Sequence, residues 1–373
     1  MTATTSPDLA RLGSTPEDYK RIGIKPDAVL PWEDGARTDG GPGTWEWWYF
    51  DANLDDGAKL VVVFYTKSFT EVDRPLAPMI RIDLDLPDGT RYDKLGKWKP
   101  EEFAASRDRC DVHIGRNSFS GDLHSYTITA QIEDVTVNVN LSGEVPSWRP
   151  RTGHIYFGPH DEHEFAWLPA VPKGKVQATY SVGGSTHTAS GDGYHDHNWG
   201  NAPMTSLINH WYWARGQAGP YTTIASHITA EARYGHSEIP IFMLASGAEI
   251  IADDASRVVF EELGTYTDVA TRKPVANVTR YTYTDGDESY IVSFTRYRDL
   301  AANRFVDQLH GPEKVAARLA RFDGAYLRFA GELRIEHWRS GAIIDSYADA
   351  ALWELMYPGK SMEHQVDHTR AVA

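Results

Sequence analysis

The chain has 373 residues and a formal net charge of −15, and its length leaves two domains or one large one as the alternatives. Its acidity argues against a nucleic-acid backbone or an anionic membrane as partner, and no apolar run is long enough for integral membrane insertion. A single cysteine, Cys110, excludes intramolecular disulfides and multi-thiolate metal sites, so a free structural thiol is expected.

Residues 1–40 read as an N-terminal arm. They lack the basic start and apolar core of a secretory leader, which points to the cytoplasm. Thr15-Pro16-Glu17-Asp18 has the form of a helix start, with a capping hydroxyl, proline at the first helical position and acids in the first turn. The stretch GARTDGGPGT then leads into a period-two pattern that dominates the rest of the chain. Runs such as LVVVFYT, MIRIDLDL, YTITAQI and VTVNVNLSG read as the short antiparallel strands of sandwiches and barrels. Late in the chain, PEKVAARLARF puts Val315, Leu319 and Phe322 on one face and is expected to be helical.

Two stretches carry chemistry. In TWEWWYFD (residues 44–51), a strand would put Trp45, Trp47 and Tyr49 on one face and Glu46, Trp48 and Phe50 on the other. An unpaired ionised carboxylate is costly to bury, so Glu46 is expected to have a partner, a histidine or Arg215. In GDGYHDHNWGN (191–201), His195, His197 and Trp199 share one face, and Tyr194, Asp196 and Asn198 the other. Histidines beside a tryptophan on an inward face are candidate proton carriers; hydrogen-bonded core histidines and a metal site are the alternatives. The H-x-H of a cupin metal site wants a glycine and a glutamate where Ala189 and Asn201-Ala202 stand, and His160-Asp161-Glu162-His163 reads as a polar loop. There is no phosphate-cradling loop, Rossmann fingerprint or G-x-S-x-G elbow, so neither cofactor nor metal is expected.

The chain also repeats itself. EWWYFDANLDDGAKLVVVF (46–64) is echoed by HWYWARGQAGPYTTIASHI (210–228), a spacing that fits duplication of a whole barrel over residues 41–203 and 204–373. The closing strands align as Tyr194-His195-Asp196-His197 against Tyr347-Ala348-Asp349-Ala350. On that alignment Tyr194 and Asp196 are shared architecture, and the two histidines are what the first half adds.

EWWYFDA (46–52) and GYHDHNWGN (193–201), with the late LWELMYPG (352–359), resemble the lipocalin-like hydroxyneurosporene synthase family, the carotenoid 1,2-hydratases. Kievitone hydratase and lipocalin-like Diels–Alderases are similar to the same group. The resemblance covers most of the chain from about residue 40. It implies an all-β fold of two tandem lipocalin-like antiparallel β-barrels with a few short helices, the first barrel carrying the site. It also implies cofactor-free chemistry in which an acid protonates an alkene and water attacks the resulting cation, with His197 and Trp199 implicated. That family further uses a Tyr and an Asp on a downstream strand, where this chain has TTIASHITA (222–230), offering His227 and no Tyr-x-Asp.

The expected protein is thus a hydro-lyase, an alkene hydratase or tertiary-alcohol dehydratase, acting on an apolar isoprenoid or terpenoid. A cyclase or Diels–Alderase and a non-catalytic lipophilic carrier are the alternatives. Candidate catalytic residues are His195, His197, Asp196, Glu46, Tyr49 and His227. Candidate substrate-binding aromatics are Trp47, Trp199, Trp211, Tyr212, Trp213 and Tyr65, whose faces would steady a cation by about 2 kcal/mol per desolvated contact.

Overall fold

The computed structural model describes residues 9–308 and 323–362, so the helix expected at PEKVAARLARF lies outside the described residues. The protein is mostly β and divides into two compact units, Met1–Leu207 with Ala245–Ile251, and Ile208–Leu244 with Ala252–Ala373. Among the described residues no helix is long and apolar enough to cross a membrane.

The first unit contains β1 (Ala10–Leu12), β2 (Trp45–Leu54), β3 (Lys59–Tyr65), β4 (Met79–Asp85), β5 (Arg91–Lys97), β6 (Phe103–Ala105) and β7 (Asp111–Ile114). It continues with β8 (Asn117–Gly121), β9 (Ser125–Ile132), β10 (Val135–Gly143), β11 (His154–Phe157), β12 (His163–Val182) and β13 (Ser185–Gly200). The antiparallel sheet runs β5-β4-β3-β2-β13-β12-β10-β9-β8-β7-β6, with β11 on β12 and β1 on β11. Strict alternation decides which side faces in: MIRIDLDL buries Ile80, Ile82 and Leu84. The sheet curls, because Phe64 of β3 packs edge-on to Phe119 of β8 at 5.8 Å although the two strands lie far apart in the ladder.

Residues 9–40 lie against this unit. Helix α1 (Pro16–Ile22) starts at the expected cap, where Thr15 Oγ1 accepts from the Asp18 amide at 3.1 Å. A 3-10 turn, Pro31–Asp34, then carries Glu33 to Arg149, whose Nε donates to Glu33 Oε2 at 2.7 Å.

The rest of the described chain holds β14 (Ile208–Ala218), β15 (Tyr221–Ala230), β16 (Glu238–Ser246), β17 (Glu249–Ala252), β18 (Val258–Leu263), and a short ribbon of β19 (Tyr266–Thr267) with β20 (Pro274–Val275). After it come β21 (Val278–Asp285), β22 (Glu288–Arg304), β23 (Ala325–Arg339) and β24 (Ala342–Tyr357), in a sheet ordered β17-β16-β15-β14-β24-β23-β22-β21-β18. The path β4-β3-β2-β13-β12-β10 of the first unit has the same form as β16-β15-β14-β24-β23-β22 here, a closing strand laid beside the opening one.

Ladder register corrects the alignment of the two closing strands. Trp47 faces Asn198, and Trp211, its counterpart in the repeat, faces Met356. His197 therefore corresponds to Leu355, Asp196 to Glu354 and His195 to Trp353. Tyr347 and Asp349 lie earlier on β24 and are exposed, so Tyr194 and Asp196 are not shared architecture. Matching letters misplaced the strand because side-chain identity and hydrogen-bond register are independent.

Candidate active site

Strands β2 and β13 build the site by register alone. Glu46 pairs with Trp199, Trp48 with His197 and Phe50 with His195, and all six side chains project into the core of the first unit. On the other side of β13, β12 shifts register between Leu168 and Val171 and again between Val171 and Gly174. Pro169 and Pro172, which have no N–H to give the ladder, occupy those shifts beside His195 and His197.

Glu46 has four donors. Oε1 accepts from His197 Nε2 at 2.8 Å and from the Arg37 amide at 2.6 Å; Oε2 accepts from the Thr38 amide at 2.9 Å and Thr38 Oγ1 at 2.8 Å. With every acceptor position used, the hydrogen on the histidine contact sits on His197 Nε2. The partner of Glu46 is thus a histidine, and Arg215 belongs to the second unit.

His195 Nδ1 donates to the Tyr49 carbonyl at 2.8 Å, and its Nε2 lies 3.2 Å from Asp34 Oδ2. Asp34 also accepts from Tyr126 Oη at 2.6 Å, while Trp48 Nε1 donates to its main-chain carbonyl at 3.1 Å. Burial drives the Asp34 carboxyl upward, but the charge and hydrogen bond of His195, with His197 and Tyr126, leave it below the ordinary range. Burial likewise pulls His195 down, and Asp34 more than offsets this, so the imidazole titrates above its usual value. The two form a sealed ion pair.

Between the two pairs lies a gap in the hydrogen bonding. Asp34 Oδ1 and His197 Nδ1 are buried, lack partners, and stand 3.4 Å apart. One proton between them would satisfy both, so the cluster can gain or lose a proton with little heavy-atom movement. The rings are held by aromatic neighbours: His197 stacks on Trp48 at 4.7 Å and leans on Trp199 at 4.7 Å, and His195 lies against Phe119 and Tyr126.

Asp34, Cys110 and His195 bring one donor atom each within 4.8 Å and could in principle hold a metal ion. The chemistry of that set favours protons. The Cys110 thiol donates to the Phe119 carbonyl at 3.6 Å, and burial pushes its pKa well up, while Asp34 and His195 already satisfy one another.

A cleft of about 200 Å³ opens beside the cluster, lined among others by Trp32, Arg37, His154, Trp167 and Trp199. Trp199 belongs to both, touching His197 and lining the cleft. His154 meets the Trp199 ring edge-on at 5.4 Å and binds Glu164 Oε2 through Nδ1 at 3.0 Å.

The other candidates lie elsewhere. Asp196 points to the opposite face of β13, where it accepts from Trp167 Nε1, Tyr194 Oη and Asn198 Nδ2, each at 2.8 Å. Burial pushes its carboxyl up to about 6 despite the Trp167 and Tyr194 donors. Tyr49 contributes its carbonyl, while its ring sits edge-on to Tyr194 on that same outer side. Trp47 stacks on Trp45 at 4.6 Å and meets Tyr65 edge-on, also away from the histidines; burial pushes the Tyr65 phenol up to about 12. Trp211, Tyr212, Trp213 and His227 all belong to the second unit, where Tyr212 Oη accepts from the Ala276 amide at 3.0 Å.

His227 stacks on Phe260 at 4.0 Å, and burial alone lowers its pKa to about 4. A histidine that folds neutral stabilises its unit above the ordinary pKa of 6.5, and that stability is lost as pH falls toward about 4. Acidification over this window is expected to cost the second unit about 3 kcal/mol, on the usual conversion of pKa into free energy. His227→Leu should remove that slope in urea titrations at a series of pH values.

Fold and site together define an all-β, lipocalin-like protein with a histidine–carboxylate cluster behind an aromatic cleft. Residues 41–299 match the Diels-Alderase-like family, and the chain belongs to it. Among curated proteins it is 26% identical over 193 residues to a quinolone epoxide rearrangement protein of Emericella nidulans, covering 48% of this chain and 53% of that one. It is 27% identical over 207 residues to a hydroxyneurosporene dehydrogenase of Chlorobaculum tepidum, covering 47% and 54%. The chain thus spans about half the length of the curated relatives it matches. The fold is shared with CghA, in its structure with Sch210972, at TM-score 0.57 and 14% identity, over 90% of this chain and 95% of that one. Kievitone hydratase of Nectria haematococca superposes at TM-score 0.51 and 14% identity, over 89% and 93%. The resemblance read from the two motifs holds at the level of this superfamily.

Proposed function

We propose that the protein is a cytoplasmic, cofactor-independent hydro-lyase that moves a proton to or from an apolar, isoprenoid-like substrate held in the cleft. The observation that supports this is the unsatisfied pair, Asp34 Oδ1 and His197 Nδ1, in a sealed cluster one indole away from that cleft. In hydration, His197 delivers a proton toward the alkene once the Trp199 ring swings aside, Asp34 and Glu46 hold the imidazole in place, and Trp32, Trp167 and Trp199 face the cation. Water then adds, and dehydration runs the same steps backward. On this reading each curled sheet is one lipocalin-like barrel, and the first carries the site.

A second reading, a cyclase or rearrangement enzyme, is favoured by the family and by the quinolone epoxide rearrangement relative. There the same proton would polarise a carbonyl or open an epoxide, and no water oxygen would enter the product. Incubation with a panel of terpenoid alcohols, alkenes and epoxides in H₂¹⁸O, followed by mass spectrometry, separates the two. Incorporated label supports the hydro-lyase, and an unlabelled product of unchanged mass supports the rearrangement. Tight binding without any product leaves only a carrier.

A further inference from the structure

One ionisable pair on the cleft wall is not part of the buried cluster. His154 on β11 and Glu164 on β12 are diagonal neighbours in the ladder, since His154 pairs with Ala166 and Tyr156 with Glu164. Glu164 Oε2 accepts from His154 Nδ1 at 3.0 Å, which leaves Nε2 as the ring's free nitrogen on a residue that lines the cleft. The ring is fixed on two further sides, stacked on Tyr156 at 5.8 Å and edge-on to Trp199 at 5.4 Å. Glu164 is anchored through its main chain, its amide donating to Asn201 Oδ1 at 2.8 Å and its carbonyl accepting from the Asn201 amide at 3.3 Å. Asn201 ends the GYHDHNWGN motif, so that motif supplies His197 at one point and holds Glu164 at another. A ring that lines a cleft, with one nitrogen held by a carboxylate and the other left free, is the arrangement of a general base.

We propose that His154 is the substrate-facing general base of this site and Glu164 its positioning residue, a role that rests on the hydro-lyase reading above. The buried cluster serves the carbon that gains hydrogen, and His154 serves the oxygen. In hydration, Nε2 takes a proton from water as the water oxygen bonds to the cationic carbon. One O–H bond breaks, the C–O and N–H bonds form, and the imidazolium is held against Glu164. In dehydration, the imidazolium returns that proton to the leaving hydroxyl, and the C–O bond breaks as water departs.

Two readouts need no substrate. Diethyl pyrocarbonate with peptide mass mapping should modify His154 faster than His195 or His197, and 8-anilinonaphthalene-1-sulfonate in the cleft should slow that reaction. Long-range ¹H–¹⁵N spectra should show His154 with hydrogen on Nδ1, moved to Nε2 in Glu164→Leu and restored to Nδ1 in Glu164→Gln. With a substrate that incorporates ¹⁸O, His154→Gln should lower kcat about 10²–10⁴-fold with KM little changed. Modification no faster than at the buried histidines, or an Nε2–H tautomer in the unmodified protein, overturns the proposal whether or not a substrate is in hand. Full turnover by His154→Gln beside an inactive His197→Gln overturns the base and leaves the hydro-lyase standing. Absence of turnover across the panel removes the hydro-lyase and the base together.

Discussion

Replacing Asp34 by alanine is expected to destabilise the first unit by about 3–5 kcal/mol, the cost of removing one partner from a buried ion pair. Asp34 is 1% exposed, and its loss strands the His195 imidazolium and the Tyr126 hydroxyl in a sealed core. Asp34→Asn keeps the shape and an acceptor for Tyr126, and should cost less. The pH dependence has a defined sign. Asp34 folds with its pKa below 3.8, so its contribution is present above 3.8 and is lost as pH falls through the lower folded value. His195 folds with its pKa above 6.5, so its contribution is present below 6.5 and is lost as pH rises through the higher folded value. The pair therefore stabilises most between about pH 4 and 6.5. Asp196, raised to about 6, loses its own contribution as pH rises through this window, so the informative quantity is wild type minus Asp34→Ala at each pH. Guanidinium titrations differing by less than about 1 kcal/mol near pH 5.5 would show that no buried charge pair is present.

Turnover is expected to fall about 10²–10⁴-fold in His197→Gln, the usual contribution of a positioned proton carrier. The substitution keeps a polar side chain beside Glu46 but removes the ring nitrogen that faces Asp34 Oδ1. The loss should appear in kcat, because the cleft is lined by Trp199 and its neighbours and not by His197. Asp196→Asn is the matched control. It alters the next residue of the same strand but on the outer face, and should leave turnover near wild type while shifting stability. Equal losses in both variants would mean that β13 matters for folding alone, and the assignment of His197 would fall.

Much of this arrangement was legible in the sequence because period two is a strong signal. Alternation placed Glu46, Trp48 and Phe50 on one face of β2 and His195, His197 and Trp199 on one face of β13, and burial cost required a partner for Glu46. What alternation could not supply was the N-terminal segment. Asp34 sits in PWED, a single 3-10 turn with no period to read, so a buried carboxylate is hidden in a stretch that reads as an arm. The cue was the apolar Trp32 beside two acids, which an exposed arm does not need. His154 was equally silent, a lone histidine in a Gly- and Pro-rich stretch whose role depends on Glu164 and Asn201. Aromatic content misled in the other direction. Trp47, Tyr49 and Tyr65 are packed on the far side of β2 and β3, and Trp211, Tyr212, Trp213 and His227 belong to the other unit.

The distance along the chain between the acids and their histidines also sets an order of events during synthesis. Asp34 and His195 are 161 positions apart, and Glu46 and His197 are 151 apart. At ribosomal rates of about 5–20 residues per second, both carboxylates wait roughly 8–30 s for their histidines to be made. β13 is the last strand of its sheet to emerge and the one that must slot between β2 and β12. Until it arrives the two acids can stay hydrated, and when it arrives it brings both histidine partners with it. The nascent chain therefore never has to bury either carboxylate alone, and the last strand to be translated completes the sheet and the chemistry in one step.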